Sequence, residues 1–200
     1  MKKVLFGLVV LLAVAALAVE LVAPQLASAR IEERVQEQTA GALGVSARVG
    51  PFPVVTRLLA TNEVPRLSVT IDEVVGQQLP VAAVRFELEG VSLDRDALLG
   101  GQVRVRAIDR GRVTAVLDPN VLTDALGVPV RIEDGQLVVE IAGTRRTLPL
   151  DVQGGAVRLP AGLPDIALPD ILPCAPDETA TGGDRIELSC TIDVPPPFLQ

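Results

Sequence analysis

The chain contains no histidine, no tryptophan and no tyrosine, and aromatic side chains make up only 2% of its 200 residues. Without histidine, every Ser-His or Cys-His nucleophile arrangement is ruled out, and so is the commonest metal ligand. The shortage of rings argues against a sugar site, where carbohydrate stacks on Trp or Tyr. Lysine occurs only as Lys2 and Lys3, so arginine is the sole fixed side-chain cation in the rest of the chain. The net charge of −7 lacks the basic footprint that nucleic acid requires. There is no Gly-x-Ser-x-Gly elbow, phosphate-binding Walker loop or dinucleotide fingerprint. Carboxylates cluster at Asp94 with Asp96 and at Glu133-Asp134, both in turn-like contexts where acids cap helices or tighten loops. A two-carboxylate glycosidase needs no such proximity in sequence, but no residues present themselves in named catalytic roles. The expectation is a protein that is not an enzyme and uses no cofactor or metal.

Two cysteines are present, Cys174 and Cys190. In an oxidising compartment an even pair reads as a disulfide, which on the chain-entropy model contributes about 3 kcal/mol for a loop of this size. The alternatives are a redox dithiol, which usually has Cys-x-x-Cys spacing, and a zinc site, which needs more ligands than two thiols.

The N-terminus carries the strongest single signal. Lys2 and Lys3 precede an unbroken apolar run from Val4 to Val19 that Glu20 interrupts. This is the order of a secretory signal peptide or an uncleaved signal anchor. The run falls short of the ~20 residues of a comfortable span, though Leu21-Val22-Ala23 extends it past Glu20. Small-residue triplets at Ala16-Leu17-Ala18 and Ala27-Ser28-Ala29 offer two cleavage points, and no cysteine follows the run to take a lipoprotein anchor. The expected division is 1–29 as signal peptide or anchor and 30–200 as one domain, exported to the periplasm or cell envelope.

From Pro24 to Leu43 the spacing of Leu26, Ile31, Val35 and Ala42 predicts a helix with a charged outer face. Strand alternation follows. Leu67, Val69 and Ile71 alternate with polar residues, as do Val84, Phe86 and Leu88, then Val103 and Val105, then Val113, Ala115 and Leu117. Further runs are Leu137 to Ile141, Leu148 to Val152 and, most regular of all, Ile186 to Val194. Period-two alternation gives each strand one apolar and one wet face. Turn signals at Asp134-Gly135 and Gly154-Gly155 fit antiparallel neighbours. Short helices are expected at 53–60, 94–99 and from Asp118-Pro119 to Gly127, the last with a capping Asp and proline at the first helical position. Leu159 to Pro173 repeats a Leu-Pro-Asp theme and reads as an extended crossing.

A sheet with one greasy face must cover it. If the helices leave it partly open, it forms a groove for an apolar ligand; if they close it, the result is an ordinary core. Arg104, Arg106, Arg110 and Arg112, with Arg145-Arg146, sit on strand-like runs. Guanidinium clamps phosphate bidentately, so such a patch suits a lipid headgroup. The plainer reading is a solvated face balanced by Glu87, Glu89 and Glu140.

These features together resemble the LmeA-like phospholipid-binding family of actinobacterial cell envelopes. The resemblance rests on several stretches: the apolar N-terminus running into Ala29-Arg30-Ile31-Glu32-Glu33-Arg34, then Gly50-Pro51-Phe52-Pro53 continuing to Leu58-Leu59, then Val91-Ser92-Leu93. The 100–115 hairpin and Cys190-Thr191 ahead of Pro195-Pro196-Pro197-Phe198-Leu199 complete it. It implies an α+β fold, a long curved antiparallel sheet forming an apolar groove around an N-terminal helix, similar to tubular lipid-binding folds. It also implies non-catalytic binding, and shuttling, of a phospholipid or glycolipid partner at a membrane surface. The residues expected to line the groove are Phe52, Leu58, Leu59, Val84, Phe86, Leu88, Val103 and Val105. Arg104, Arg106 and Arg112 are the headgroup candidates. The rival expectation is a membrane-anchored structural or protein-interaction domain with a closed core.

Overall fold

The computed structural model describes residues 2–38, 42–50, 53–74, 81–94, 96, 97, 100, 102, 104–133, 136–141, 143–148, 151–153, 156–158, 166–167, 172–182 and 184–200. A long helix, α1 (Lys2–Gln38), leads into β1 (Ala42–Gly50), a short helix α2 (Val54–Thr61) and the two longest strands, β2 (Glu63–Val74) and β3 (Val81–Leu93). β4 (Val105–Ala107) and β5 (Arg110–Leu117) follow, then α3 (Pro119–Leu126). One small sheet comprises β6 (Val130–Glu133), β7 (Gln136–Ile141) and β8 (Thr144–Leu148). Another comprises β9 (Asp151–Gln153), β10 (Ala156–Arg158) and β11 (Ile166–Ala167). The chain returns through β12 (Glu178–Gly182) and β13 (Arg185–Ile192) to a 3-10 turn at Pro197–Leu199.

The main sheet is antiparallel in the order β1-β2-β3-β5-β13-β12, with β4 paired to the end of β3, and it does not close into a barrel. Its register explains why the alternation in sequence is so regular. One row across five strands reads Ala47, Val69, Phe86, Val113 and Cys190; its neighbour reads Val45, Ile71, Val84, Ala115 and Leu188. The row between them carries the polar set Ser46, Thr70, Arg85, Thr114 and Ser189, and the row on the other side carries Arg48, Ser68, Glu87, Arg112 and Thr191. A shift of one residue in any strand would turn its whole apolar set into water, so the greasy face itself fixes the register. The fold is α+β, as expected.

The core lies on the apolar side. Phe86 is fully buried and meets Phe198 edge to face, with ring centroids 5.0 Å apart. Ile31 and Val35 of α1 join the same cluster. α1 also protects the edge of the sheet, because Glu32 Oε1 accepts a 2.8 Å hydrogen bond from the Ala47 N–H of β1. Cys174 and Cys190 form a disulfide that ties the segment before β12 to β13.

Two expectations change. The helix expected to reach Leu43 ends at Gln38, and 42–50 is a strand. The short apolar series Val45, Ala47 and Val49 is bracketed by Gly44 and Gly50, and its pairing with β2 is what makes it extended. Pro24 lies inside α1 and does not open it, so the expected boundary at 29/30 falls within one continuous helix. Pro24 has no N–H to offer the carbonyl four residues back, which is that of Glu20. Two of the short helices fare better, and the one expected at 94–99 lies partly outside the described residues. Asp118 caps α3 by accepting from the Asn120 N–H at 2.8 Å, and Gly127 ends it at φ 66°. The turns at 134–135 and 154–155 and most of the Leu-Pro-Asp crossing lie outside the described residues.

Candidate functional site

α2 begins without a cap of its own. The residue ahead of it is Pro53, whose side chain makes no capping hydrogen bond. The first N–H groups of a helix need acceptors, and a buried end without them would be costly. Glu20 of α1 supplies them from 34 to 36 residues away in sequence. Its carboxylate accepts from Val54 N and Val55 N at 2.9 Å each, and from Thr56 N and Thr56 Oγ1 at 2.6 Å. Desolvation pushes this carboxyl upward, but the Thr56 hydroxyl and the three N–H groups outweigh it and hold it below its ordinary range. The charge that interrupts the apolar run is therefore the cap of another helix. At the far end of α2, Asn62 adopts a left-handed conformation (φ 58°) and its N–H bonds Leu58 O at 2.9 Å. Asn62 O then accepts from the Leu93 N–H at 3.0 Å. α2 is thus fastened to α1 at one end and to β3 at the other.

Beneath this strap lies a cavity whose lining, among the described residues, is apolar side chains and proline. α1 contributes Ala23, Pro24, Ala27 and Ile31; α2 contributes Val54, Val55 and Leu58. The sheet closes the floor with Val49, Val64, Leu67, Val91 and Leu93. About 80 Å³ admits the centre of a water-sized sphere, within about 540 Å³ of atom-free space counted out to the mouth. That is several times the ~10–15 Å³ needed for one water, yet among the described residues almost no polar surface lines it to hold one. Chemically it can take hydrocarbon and little else.

Of the residues expected to line a groove, Leu58 lines this cavity. Val84, Phe86, Leu88 and Val105 are buried in the closed core and do not line it. Phe52 and Val103 lie outside the described residues, as does the side chain of Leu59. The walls supplied by Ala23, Pro24 and Ala27 were missed because that stretch reads as an export segment. The signal that could have found them is Glu20, a lone acid in an apolar run that needs a partner.

The arginines separate into two groups. Arg112 forms a 2.7 Å ion pair with Glu178 on the polar face of the sheet. Arg104 and Arg106 are exposed and flank Val105, which pairs with the cavity-lining Leu93. Both lie near Asp94. The Ala97 N–H does most to hold the Asp94 carboxyl below its ordinary range; burial opposes it, and the Asp96 N–H and the Arg106 and Arg104 charges add to the lowering.

A family model for LmeA-like phospholipid-binding proteins matches residues 18–192, nearly the whole chain. The chain belongs to the LmeA-like phospholipid-binding family. The match begins before Glu20, so it takes in the acid that caps α2 and the α1 residues that wall the cavity. No curated protein and no solved structure matches the chain.

Proposed function

We propose that this family member binds a phospholipid or related envelope lipid non-covalently, with the end of an acyl chain seated under α2 and the headgroup phosphate close to Arg104 and Arg106. The observation that carries the reading is the wholly apolar cavity between α1, α2 and the sheet, in a chain of a phospholipid-binding family. Each methylene that leaves water contributes about 0.8 kcal/mol, so a few buried at the chain end already favour capture without any covalent step. The cavity holds a chain end; deeper entry requires α2 to lift from the sheet, and its two fastenings, Glu20 and Asn62, set how readily it does so. Shuttling of lipid within the cell envelope follows if this opening is reversible.

A second reading has its own support. Val84, Phe86 and Leu88 are fully buried, which suits an anchored interaction domain with a closed core. Transfer of a fluorescent phospholipid from vesicles to the protein separates the two. Saturable uptake at about one lipid per chain supports binding, and no uptake at any protein concentration supports the closed domain.

A further inference from the structure

We propose that the exposed apolar surface of α1 from Val14 to Leu26 is seated in a phospholipid leaflet, that the chain keeps this segment after export, and that the cavity under α2 therefore loads lipid directly at the membrane surface.

The residues divide by helical spacing. Glu20, Pro24, Ala27 and Ile31 recur at intervals of three and four and face the protein. Val14, Leu17 and Leu21 fall on a second side, and Val19, Val22 and Leu26 on a third. All six are more than half exposed, reaching 63% at Leu26. A helix in contact with water carries a polar outer face, whereas one that is apolar all round is surrounded by something apolar. Among the described residues nothing covers these six side chains.

Several observations select a lipid leaflet as the occupant. The apolar sequence runs back to Val4 and begins after Lys2 and Lys3, whose charge suits anionic headgroups. It also ends abruptly. Gln25 is the first exposed polar position, and beyond Leu26 the exposed described positions of α1 are Ala29, Arg30, Glu33, Gln36 and Glu37, the change expected where a helix leaves the acyl region. Among the described residues no helix is long and apolar enough to cross a membrane.

Retention follows from the packing. Cleavage after Ala29 would remove Ala23, Pro24 and Ala27 from the cavity wall and leave the Val54, Val55 and Thr56 N–H groups without their acceptor. Because the same turns of α1 carry the leaflet-facing side chains and part of the cavity wall, the cavity stands one helix away from the leaflet and loads from it. This last clause rests on the lipid-binding reading; the seating of α1 does not.

The test uses the full chain exported by a bacterial host. Membranes are washed with alkaline carbonate, and the wild type is compared with Leu21→Glu/Leu26→Glu, two exposed positions that do not line the cavity. The carbonate-resistant fraction should fall about tenfold or more in the variant, with the melting temperature in detergent unchanged. The intact mass of the extracted wild type should include Val14 to Leu26. A mature chain starting at Arg30, equal membrane retention of the two proteins, or crosslinks from position 21 to a second copy or another protein instead of lipid would each overturn the proposal. Vesicle uptake of lipid is scored separately, so its loss with membrane retention intact would count against the cavity reading alone.

Discussion

Ala27→Leu places one bulkier side chain in the cavity wall and tests where the acyl chain sits. Ala27 of α1 lines, together with Leu58 and Val64, an apolar space of about 80 Å³. Leucine adds three carbons there, and they displace a similar number of lipid methylenes. At about 0.8 kcal/mol per methylene the loss is about 2.4 kcal/mol, or roughly fifty-fold in Kd. The fold should tolerate the change. Both residues are good helix formers, and the added burial offsets the ~1–3 kcal/mol of strain typical of overfilled cores because the space is already there. The assay is native mass spectrometry of the full chain in a mild non-ionic detergent, titrated with phosphatidylglycerol, with thermal unfolding run alongside. A variant that melts like the wild type and binds within about twofold of it would refute the placement of the chain end under α2.

Other consequences follow from the same structure. Phe86→Ala empties a fully buried site and removes the edge-to-face contact with Phe198, so chemical denaturation should show a loss of about 3–5 kcal/mol, with lipid affinity changed far less than by Ala27→Leu. Gly111→Ala sets a Cβ 2.6 Å from Ile192 Cγ1 and 2.8 Å from Leu88 Cδ2, and should cost about 1–3 kcal/mol by the same measurement. The Glu20 carboxyl titrates below its ordinary value of 4.5 in the folded chain, so its contribution is complete above that pH and is lost as the pH falls through the lowered folded value. The acid limb of the stability profile should therefore flatten in Glu20→Gln.

How legible this was in the sequence depends on how local the cause is. The strands of the main sheet could be read because each buries one face, and burial of one face leaves a period of two in the residues themselves. α3 could be read because its cap, Asp118, sits beside it. The cap of α2 could not, because Glu20 is more than thirty residues away, and only the tertiary fold brings it to Val54 and Thr56. The same distance hid the cavity. Apolar strand residues were expected to face a ligand, but Val84, Phe86 and Leu88 are sealed by the C-terminal turn and the facing elements, and the open space moved to the end where two helices meet the sheet. Alternation tells which face is greasy, and it carries no information about which part of that face remains uncovered.

The most direct test of the central claim is the mass of the protein as its host makes it. Extracted gently from exporting cells and sprayed intact, the chain should carry a phospholipid adduct at close to one per chain, and Ala27→Leu should carry much less. A wild-type chain that is free of lipid and takes none from vesicles would contradict the account.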